Sequence, residues 1–225
     1  MKVLVVDVGG TSIKMLATGQ TTPRAFHSGP AFTPEQMVSK VKQIANGWRY
    51  EVVSIGYPGP VLDGHPVAEP RNLGHGWVGF DYEGAFGCRV KILNDAAMQA
   101  LGSYEGGRMF FLSLGTGLGS ALIVRGELQP MEIGHLPYKR GTYEGYLGLK
   151  GLERLGFKKW QQHLFTCVSR LTSALQIDEV VIGGGNVHKL KELPRGCRKG
   201  HNDNAFRGGF LMWEKARQRK QRGAR

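Results

Sequence analysis

Apolar runs punctuated by glycine organise this chain. Lys2–Val8 is an almost unbroken apolar run, interrupted by Asp7, as expected of a strand buried on both faces. Gly9-Gly10-Thr11 then turns the chain, and Ser12–Thr18 reads as the hairpin partner. Thr33-Pro34-Glu35-Gln36 has the form of a capping box with proline at the first helical position. Met37, Val38, Val41, Ile44 and Ala45 follow at helical spacing, and Asn46-Gly47 ends that helix. Val52–Tyr57 is a second buried strand, closed by Pro58-Gly59-Pro60. Arg89–Leu93 reads as a further strand, and Asp95 as the cap of a helix from Ala96 to Tyr104.

The pattern then restarts. Met109–Leu114 is a strand, Gly115-Thr116-Gly117-Leu118-Gly119 a turn, and Ser120–Val124 a second strand. A helix over Lys158–Leu175 carries Trp160, Leu164, Val168, Leu171 and Leu175 on one stripe. Glu179–Ile182 is a strand ending in Gly183-Gly184-Gly185, and a last helix covers Asn204–Arg219. Laid over the N-terminus, LSLGTGLGSALI repeats the order of VDVGGTSIKML. The expectation is an α/β protein of two lobes with a duplicated βαβ core and a cleft between the facing hairpins. Residues 1–107 form the first lobe, joined by the terminal helix 204–225, and residues 108–203 form the second.

Composition narrows the class. Apolar residues make up 41% of the 225, and no stretch approaches the roughly 18 consecutive apolar residues of a membrane span. Asp7 breaks the first run and no small-residue cleavage site follows, so that run reads as a strand rather than a signal peptide. A cytoplasmic protein without a membrane partner is expected. The three cysteines, Cys88, Cys167 and Cys197, are widely spaced, and neither Cys-x-x-Cys nor His-Glu-x-x-His occurs, so no zinc site is expected. The net charge of +12 suggests a polyanionic partner. Part of it lies in Glu214–Arg225, which reads as a solvated helix end. No basic stripe interleaved with aromatics accompanies it, so no nucleic-acid partner is expected.

The glycine turns carry the chemistry. A phosphate chain approaching a backbone needs residues without Cβ, so that several N–H groups can point at one anion. Gly9-Gly10-Thr11 and Gly115-Thr116-Gly117 both meet this need and each adds a threonine hydroxyl. Neither is a P-loop, because no Gly-Lys-Ser/Thr closes it, and neither opens a helix as a dinucleotide fingerprint does. Asp7, at the end of a buried strand, either holds the Mg²⁺ of a phosphate donor, directly or through water, or organises the turn. Asn94-Asp95 lies where open α/β sheets place ligands, and phosphoryl transfer needs a carboxylate there to accept a hydroxyl proton. A plain helix cap is the other use of Asp95. Glu132-Ile-Gly-His135 offers two acceptors and a donor for vicinal hydroxyls. Asn72, Gly74, Gly76 and Trp77 form a polar loop whose amides and aromatic face could also meet a sugar.

Together these residues resemble the ROK (repressor, open reading frame, kinase) family of sugar kinases, within the superfamily of actin, hexokinase and the heat-shock chaperones. Asp7-Val-Gly-Gly-Thr11-Ser-Ile-Lys14 looks like its first phosphate motif and Leu114-Gly-Thr-Gly-Leu-Gly-Ser120 like the second. Asn94-Asp95-Ala96 looks like the catalytic segment, and Val181-Ile-Gly-Gly-Gly185 like the adenosine motif. Gly56-Tyr-Pro-Gly-Pro-Val61 and Asn72-Leu-Gly-His-Gly-Trp77 fall in the family's order. The resemblance implies a two-lobed, actin-like (ribonuclease H-like) fold. It implies that Asn72, Asn94, Asp95, Glu132, His135 and Glu144 bind a hexose and that Asp95 is the base that frees its 6-hydroxyl. Asp7, Gly9, Gly10, Thr11, Lys14, Gly115, Thr116, Gly117, Gly183, Gly184 and Gly185 would bind the donor and its Mg²⁺. A homodimer is also implied.

One departure matters. Most members follow Glu-x-Gly-His with a cysteine-rich zinc loop, replaced here by Pro137–Gly148 without cysteine, so His135 is expected to contact sugar and not zinc. In this the chain is similar to the polyphosphate glucokinases, which phosphorylate glucose from inorganic polyphosphate and often from ATP. The expected activity is that of a glucokinase. The alternatives are a kinase for another sugar, such as an N-acetyl amino sugar, and a non-catalytic sugar-sensing homologue. A DNA-binding repressor would need a helix-turn-helix, and the first strand begins at Lys2.

Overall fold

The structure is a computed structural model that describes residues 1–201 and 203–222, with side chains through Glu214 in the last helix. The basic run that follows Glu214 lies outside the described side chains. The chain folds as two units, Met1–Met98 with the segment from Ala205 onward, and Gln99–Asn204.

The first unit opens with strand β1 (Val3–Val8), hairpin strand β2 (Ser12–Ala17) and an edge strand β3 (Arg24–His27) that the hydrophobic pattern did not predict. Helix α1 (Pro34–Ile44) starts where the capping box placed it. The Thr33 amide donates to Gln36 Oε1 at 3.0 Å and the Gln36 amide donates to Thr33 Oγ1 at 3.4 Å. Strand β4 (Val52–Tyr57), the two-residue hairpin strands β5 (Val61–Leu62) and β6 (His65–Pro66), helix α2 (Tyr82–Phe86) and strand β7 (Arg89–Asn94) follow. The five-stranded sheet has the order β3-β2-β1-β4-β7, with β1, β4 and β7 parallel. Leu4, Val6 and Val8 of β1 pack in one core with Met37, Val38 and Val41 of α1. Helix α3 (Asp95–Ser103) leaves the end of β7.

The second unit repeats the order. Strands β8 (Arg108–Leu114), β9 (Leu118–Val124) and β10 (Glu127–Met131) form its antiparallel part. The β8–β9 turn is tighter than the sequence suggested: β9 begins at Leu118, paired with Leu114, instead of at Ser120. A 3-10 turn (Ile133–His135) leads to the hairpin strands β11 (Pro137–Tyr138) and β12 (Gly141–Thr142) and then to helix α4 (Tyr143–Leu147). Helix α5 (Leu149–Leu175) is broken at Gly156, whose φ of 71° and ψ of 159° are not helical. The helix predicted from Lys158 is therefore the part after the break. Trp160, Leu164, Val168 and Leu171 are buried there, while Leu175 is half-buried. Parallel strands β13 (Glu179–Gly183) and β14 (Cys197–Lys199) complete a sheet of order β10-β9-β8-β13-β14.

Helix α6 (Asn204–Arg222) returns to the first unit. Gly209 lets it lie flush on β1, since a Cβ there would run into the Val5 methyls. Ser54 Oγ donates to the Gly209 carbonyl at 2.7 Å and accepts from Trp213 Nε1 at 2.9 Å, while Lys91 Nζ donates to the Met212 carbonyl at 2.6 Å. Each sheet is thus covered by helices, as a parallel core requires. Among the described residues no helix is long and apolar enough to cross a membrane.

Candidate functional site

In the first unit, the parallel strands deliver two carboxylates to one edge of the sheet. Asp7 of β1 is level with Gly56 of β4, and Gly56 with Leu93 of β7, so Asp95 stands two residues beyond that line. β1 and β7 flank β4, which puts Asp7 and Asp95 on the order of 10 Å apart. Gly56 makes this arrangement possible: a Cβ there would meet Met98 Cε and lie 3.3 Å from Asp7 Oδ1.

Asp7 is half-buried, and desolvation pushes its carboxyl up from 3.8 to about 6, with the Lys14 ammonium opposing that rise. Lys14 is the direct cross-strand partner of Asp7 on β2. Among the described residues the Asp7 carboxylate accepts no hydrogen bond. It therefore does not organise the turn by bonding backbone. Ser28 does that: its hydroxyl donates to the Gly9 carbonyl at 2.7 Å and its amide to the Thr11 carbonyl at 3.1 Å.

Asn72 reaches this turn, with its Cβ 2.7 Å from where a Cβ of Gly10 would stand. Its loop is shaped by Glu69, whose carboxylate accepts the amides of Gly76, Trp77 and Val78 at 3.3, 3.1 and 3.2 Å. The pattern gave no sign of Glu69, because bonds from one side chain to three consecutive amides have no periodic signature. Trp77 is a correction. It is fully buried, its Nε1 donates to the Phe32 carbonyl, and its ring packs on Tyr57, so it offers no aromatic face to a sugar.

The helix cap is a second correction. Asn94 caps α3, its Oδ1 accepting the Ala97 amide at 3.1 Å while its Nδ2 donates to the Gly59 carbonyl at 3.0 Å. Asp95 is the first residue of the helix, half-buried, and accepts the Ala96 amide at 2.7 Å. Asn94 keeps one amide hydrogen and one oxygen lone pair for a further partner.

In the second unit, the Gly115–Gly117 turn is fixed from both sides. Asn186 Nδ2 donates to the Gly115 carbonyl at 3.1 Å and the Asn186 amide to the Leu114 carbonyl at 2.8 Å. The run Gly183–Gly185 can lie against that turn because Gly184, at φ 84°, has no Cβ to strike the Leu114 backbone 2.6 Å away. Sequence reasoning stopped at Gly185 and missed Asn186, the next residue. Glu144 Oε2 accepts the Leu118 amide at 3.2 Å, which places α4 against the same turn. The Leu149 amide at the start of α5 donates to the Thr116 carbonyl at 3.2 Å. Thr116 itself is exposed. Glu132 and His135 lie open, 48% and 59% exposed, with Oε2 and Nε2 4.0 Å apart. Ser120 sets their backbone, accepting the Ile133 amide at 3.3 Å and donating to the Met131 carbonyl at 2.7 Å. The structure thus brings Glu144 to the second turn, and Glu132 with His135 to the 3-10 segment beside it.

Comparison with known proteins follows the same motifs. The ROK family profile matches residues 3–152. The chain is 30% identical to a polyphosphate glucokinase of Mycobacterium tuberculosis over 204 residues, covering 80% of this chain and 76% of the relative. A polyphosphate glucokinase of Mycobacterium leprae is 28% identical over the same share of this chain and 62% of its own length. Among solved structures, the inorganic polyphosphate/ATP-glucomannokinase of Arthrobacter sp. strain KM superposes with a TM-score of 0.79 at 21% identity, over 94% of this chain and 97% of that one. The ROK family glucokinase of Streptomyces griseus, solved with glucose and AMPPNP, does so at 0.76 and 16%, over 96% of this chain and 100% of that one. The two-sheet α/β architecture is the actin-like fold of these sugar kinases.

Proposed function

The chain belongs to the ROK family, and from that membership we propose that it is a sugar kinase that phosphorylates the 6-hydroxyl of glucose from inorganic polyphosphate or ATP. The observation that carries this reading is the pair of carboxylates at one edge of the first sheet, one beside a glycine turn and one at a helix start. The relatives named polyphosphate glucokinase support the donor and the sugar.

Phosphoryl transfer asks a protein for position and charge more than for covalent chemistry. Asp95 accepts the proton of the sugar 6-hydroxyl as that oxygen attacks the terminal phosphorus. The bond from phosphorus to the rest of the donor breaks, and the shortened chain, or ADP, leaves with the electron pair. In the first unit Asn94 and Asn72 hold other hydroxyls, and in the second Glu132, His135 and Glu144 are the sugar contacts that family membership suggests. Each glycine turn offers its amides to phosphate oxygens, and in the first unit Lys14 offsets phosphate charge. Asp7 fits a hard cation, since its carboxylate is desolvated, unbonded and at the rim of a turn. It would hold Mg²⁺, which supplies positive charge to the donor phosphates. The three thiols stand unpaired, as in a reducing compartment, and we place the protein in the cytoplasm.

The test is turnover of a hexose panel with each donor. Glucose 6-phosphate should form with Mg²⁺ and polyphosphate or ATP, and Asp95→Asn should lower kcat at least about 10²-fold with sugar binding retained. No turnover with any pair would sink the kinase reading. Near-normal turnover in the variant would remove Asp95 from the base role.

A further inference from the structure

The hairpin β11–β12, helix α4 and helix α5 bury an aromatic cluster in the second unit. Tyr138 lies at its centre, 2% exposed. Its ring stacks on Tyr143 at 5.1 Å and meets Tyr146 edge-on at 5.0 Å. His163 stands edge-on to Tyr138 and Tyr146 at 5.7 and 4.9 Å, with Nδ1 2.9 Å from the Tyr138 hydroxyl.

Three cations, Lys139 of the β11–β12 turn and Arg154 and Arg170 on either side of the break in α5, lie on the outside of this cluster. Lys139 Nζ lies 5.9 Å and Arg170 Cζ 5.7 Å from the Tyr138 ring centre, and Arg154 Cζ lies 5.0 Å from that of Tyr146. All three are exposed, and the exposed Arg140 adjoins them. None forms an ion pair with a carboxylate among the described residues. Their field is felt inside the cluster: after burial, Lys139 and Arg154 are what lower the His163 pKa. Like charges gathered without a counter-ion repel one another, a cost set against their contacts with the rings. The rings and the Gly145 carbonyl, which accepts from Arg154 at 2.8 Å, hold the cations in place. A multivalent anion would therefore meet a preorganised array.

We propose that Lys139, Arg154 and Arg170 form a docking site for the distal part of an inorganic polyphosphate chain, away from the phosphate-binding turns. This rests on the polyphosphate reading above and extends it to how a long donor is held. Phosphate groups repeat along such a chain, so one molecule engages all three cations. The Tyr138 ring is buried among Tyr143, Tyr146 and His163, so it offers no face for stacking nucleic-acid bases. The array is also close to the second turn. Glu144 of α4 faces the turn through Leu118, while Tyr143 and Tyr146 of the same helix face the cluster. A chain seated at the turn has only the width of one helix, about 10 Å, to cross.

The experiment measures binding of labelled long-chain polyphosphate to the full protein, without sugar, across a salt series. The variant combines Lys139→Asn with Arg170→Gln. Lys139 sits at φ 53°, where asparagine is at ease, so the hairpin should keep its turn. Affinity should fall about 10-fold and the salt dependence should flatten by about two released ions. KM for long-chain polyphosphate should rise in step, while KM for ATP and tripolyphosphate stays within about twofold, since surface charges act over about one Debye length. Lys139→Glu alone, at an exposed turn, should weaken binding on its own. Unchanged affinity in both variants would overturn the site. So would a single-stranded oligonucleotide of equal charge that binds wild type as tightly and weakens equally. If the variants lose the chain while wild type binds it but turns over only ATP, the docking site stands and the polyphosphate donor falls.

Discussion

Replacing Asp7 by asparagine should make the protein more stable above pH 6 while removing activity. A carboxyl moved from 3.8 to about 6 by burial carries about 3 kcal/mol against ionisation in the fold, at about 1.4 kcal/mol per unit of pKa. The folded chain binds the proton more tightly than the unfolded chain. Between pH 4 and 6 stability therefore falls as pH rises, and the full penalty is present above the folded pKa. An asparagine side chain cannot ionise, so the Asp7→Asn variant escapes it. The amide returns part of the gain, because it too is desolvated. At about 2–4 °C per kcal/mol for a chain of this size, Tm should rise by at least about 4 °C at pH 8 and not at all at pH 4. Calorimetry of both proteins at pH 4, 5, 6 and 8 measures the difference. Added Mg²⁺ should then raise the Tm of wild type at pH 8 and leave the variant unmoved. A Tm difference that is constant with pH, or that shrinks as pH rises, would refute the desolvation argument.

Three further outcomes are expected. Gly56→Ala should cost about 1–3 kcal/mol by overpacking, and Met98→Ala in the same chain should recover part of it, because Met98 Cε is what the new methyl strikes; denaturant titration of the cycle measures the coupling. Glu144→Ala should loosen the second turn by removing the acceptor of the Leu118 amide and raise KM for the sugar by about 10-fold, whereas Glu144→Gln, which keeps an acceptor, should preserve Tm. Tyr138→Phe should remove the bond to His163 and lower stability by about 1 kcal/mol, or about 2–4 °C in Tm.

How much of this was legible depended on the range of the interactions. The strand–turn–strand of Lys2–Thr18 and the helix after Thr33 were readable because periodicity and capping are written within a few residues. The choice between Asn94 and Asp95 as cap was not. Either side chain can accept a first-turn amide, and the contest is decided by Gly59, 35 residues earlier, whose carbonyl holds the Asn94 amide. Trp77 looked like a surface aromatic within a polar loop, yet the Phe32 carbonyl and the Tyr57 ring draw it inward. Glu69 and Asn186 act on backbone groups brought near only by the fold. The aromatic cluster escaped notice for the same reason, since Tyr138 and His163 are 25 residues apart.

The two sheets also show how a duplicated scaffold can take on different chemistry without changing its geometry. Both have the order edge, hairpin, centre, parallel, parallel, and the glycine turn falls at the same point in each. Ser113 precedes Gly115 by two residues as Asp7 precedes Gly9. Gly183 pairs with Ser113 on the neighbouring parallel strand as Gly56 pairs with Asp7. The glycine is needed in both copies because something bulky fills its place. In the first this is Met98 with the Asp7 carboxylate. In the second it is the Phe111 ring, 2.7 Å from where a Cβ would stand. The desolvated acid and its cross-strand lysine occur in the first copy only. A cation therefore meets an unbonded carboxylate at the first turn, whereas the carboxylate at the second, Glu144, already accepts the Leu118 amide. Asp7→Ser, which gives the first copy the residue of the second, should for that reason keep the fold and lose the stabilisation by Mg²⁺. An Asp7→Ser protein whose Tm still climbs with Mg²⁺ would show that the ion binds elsewhere.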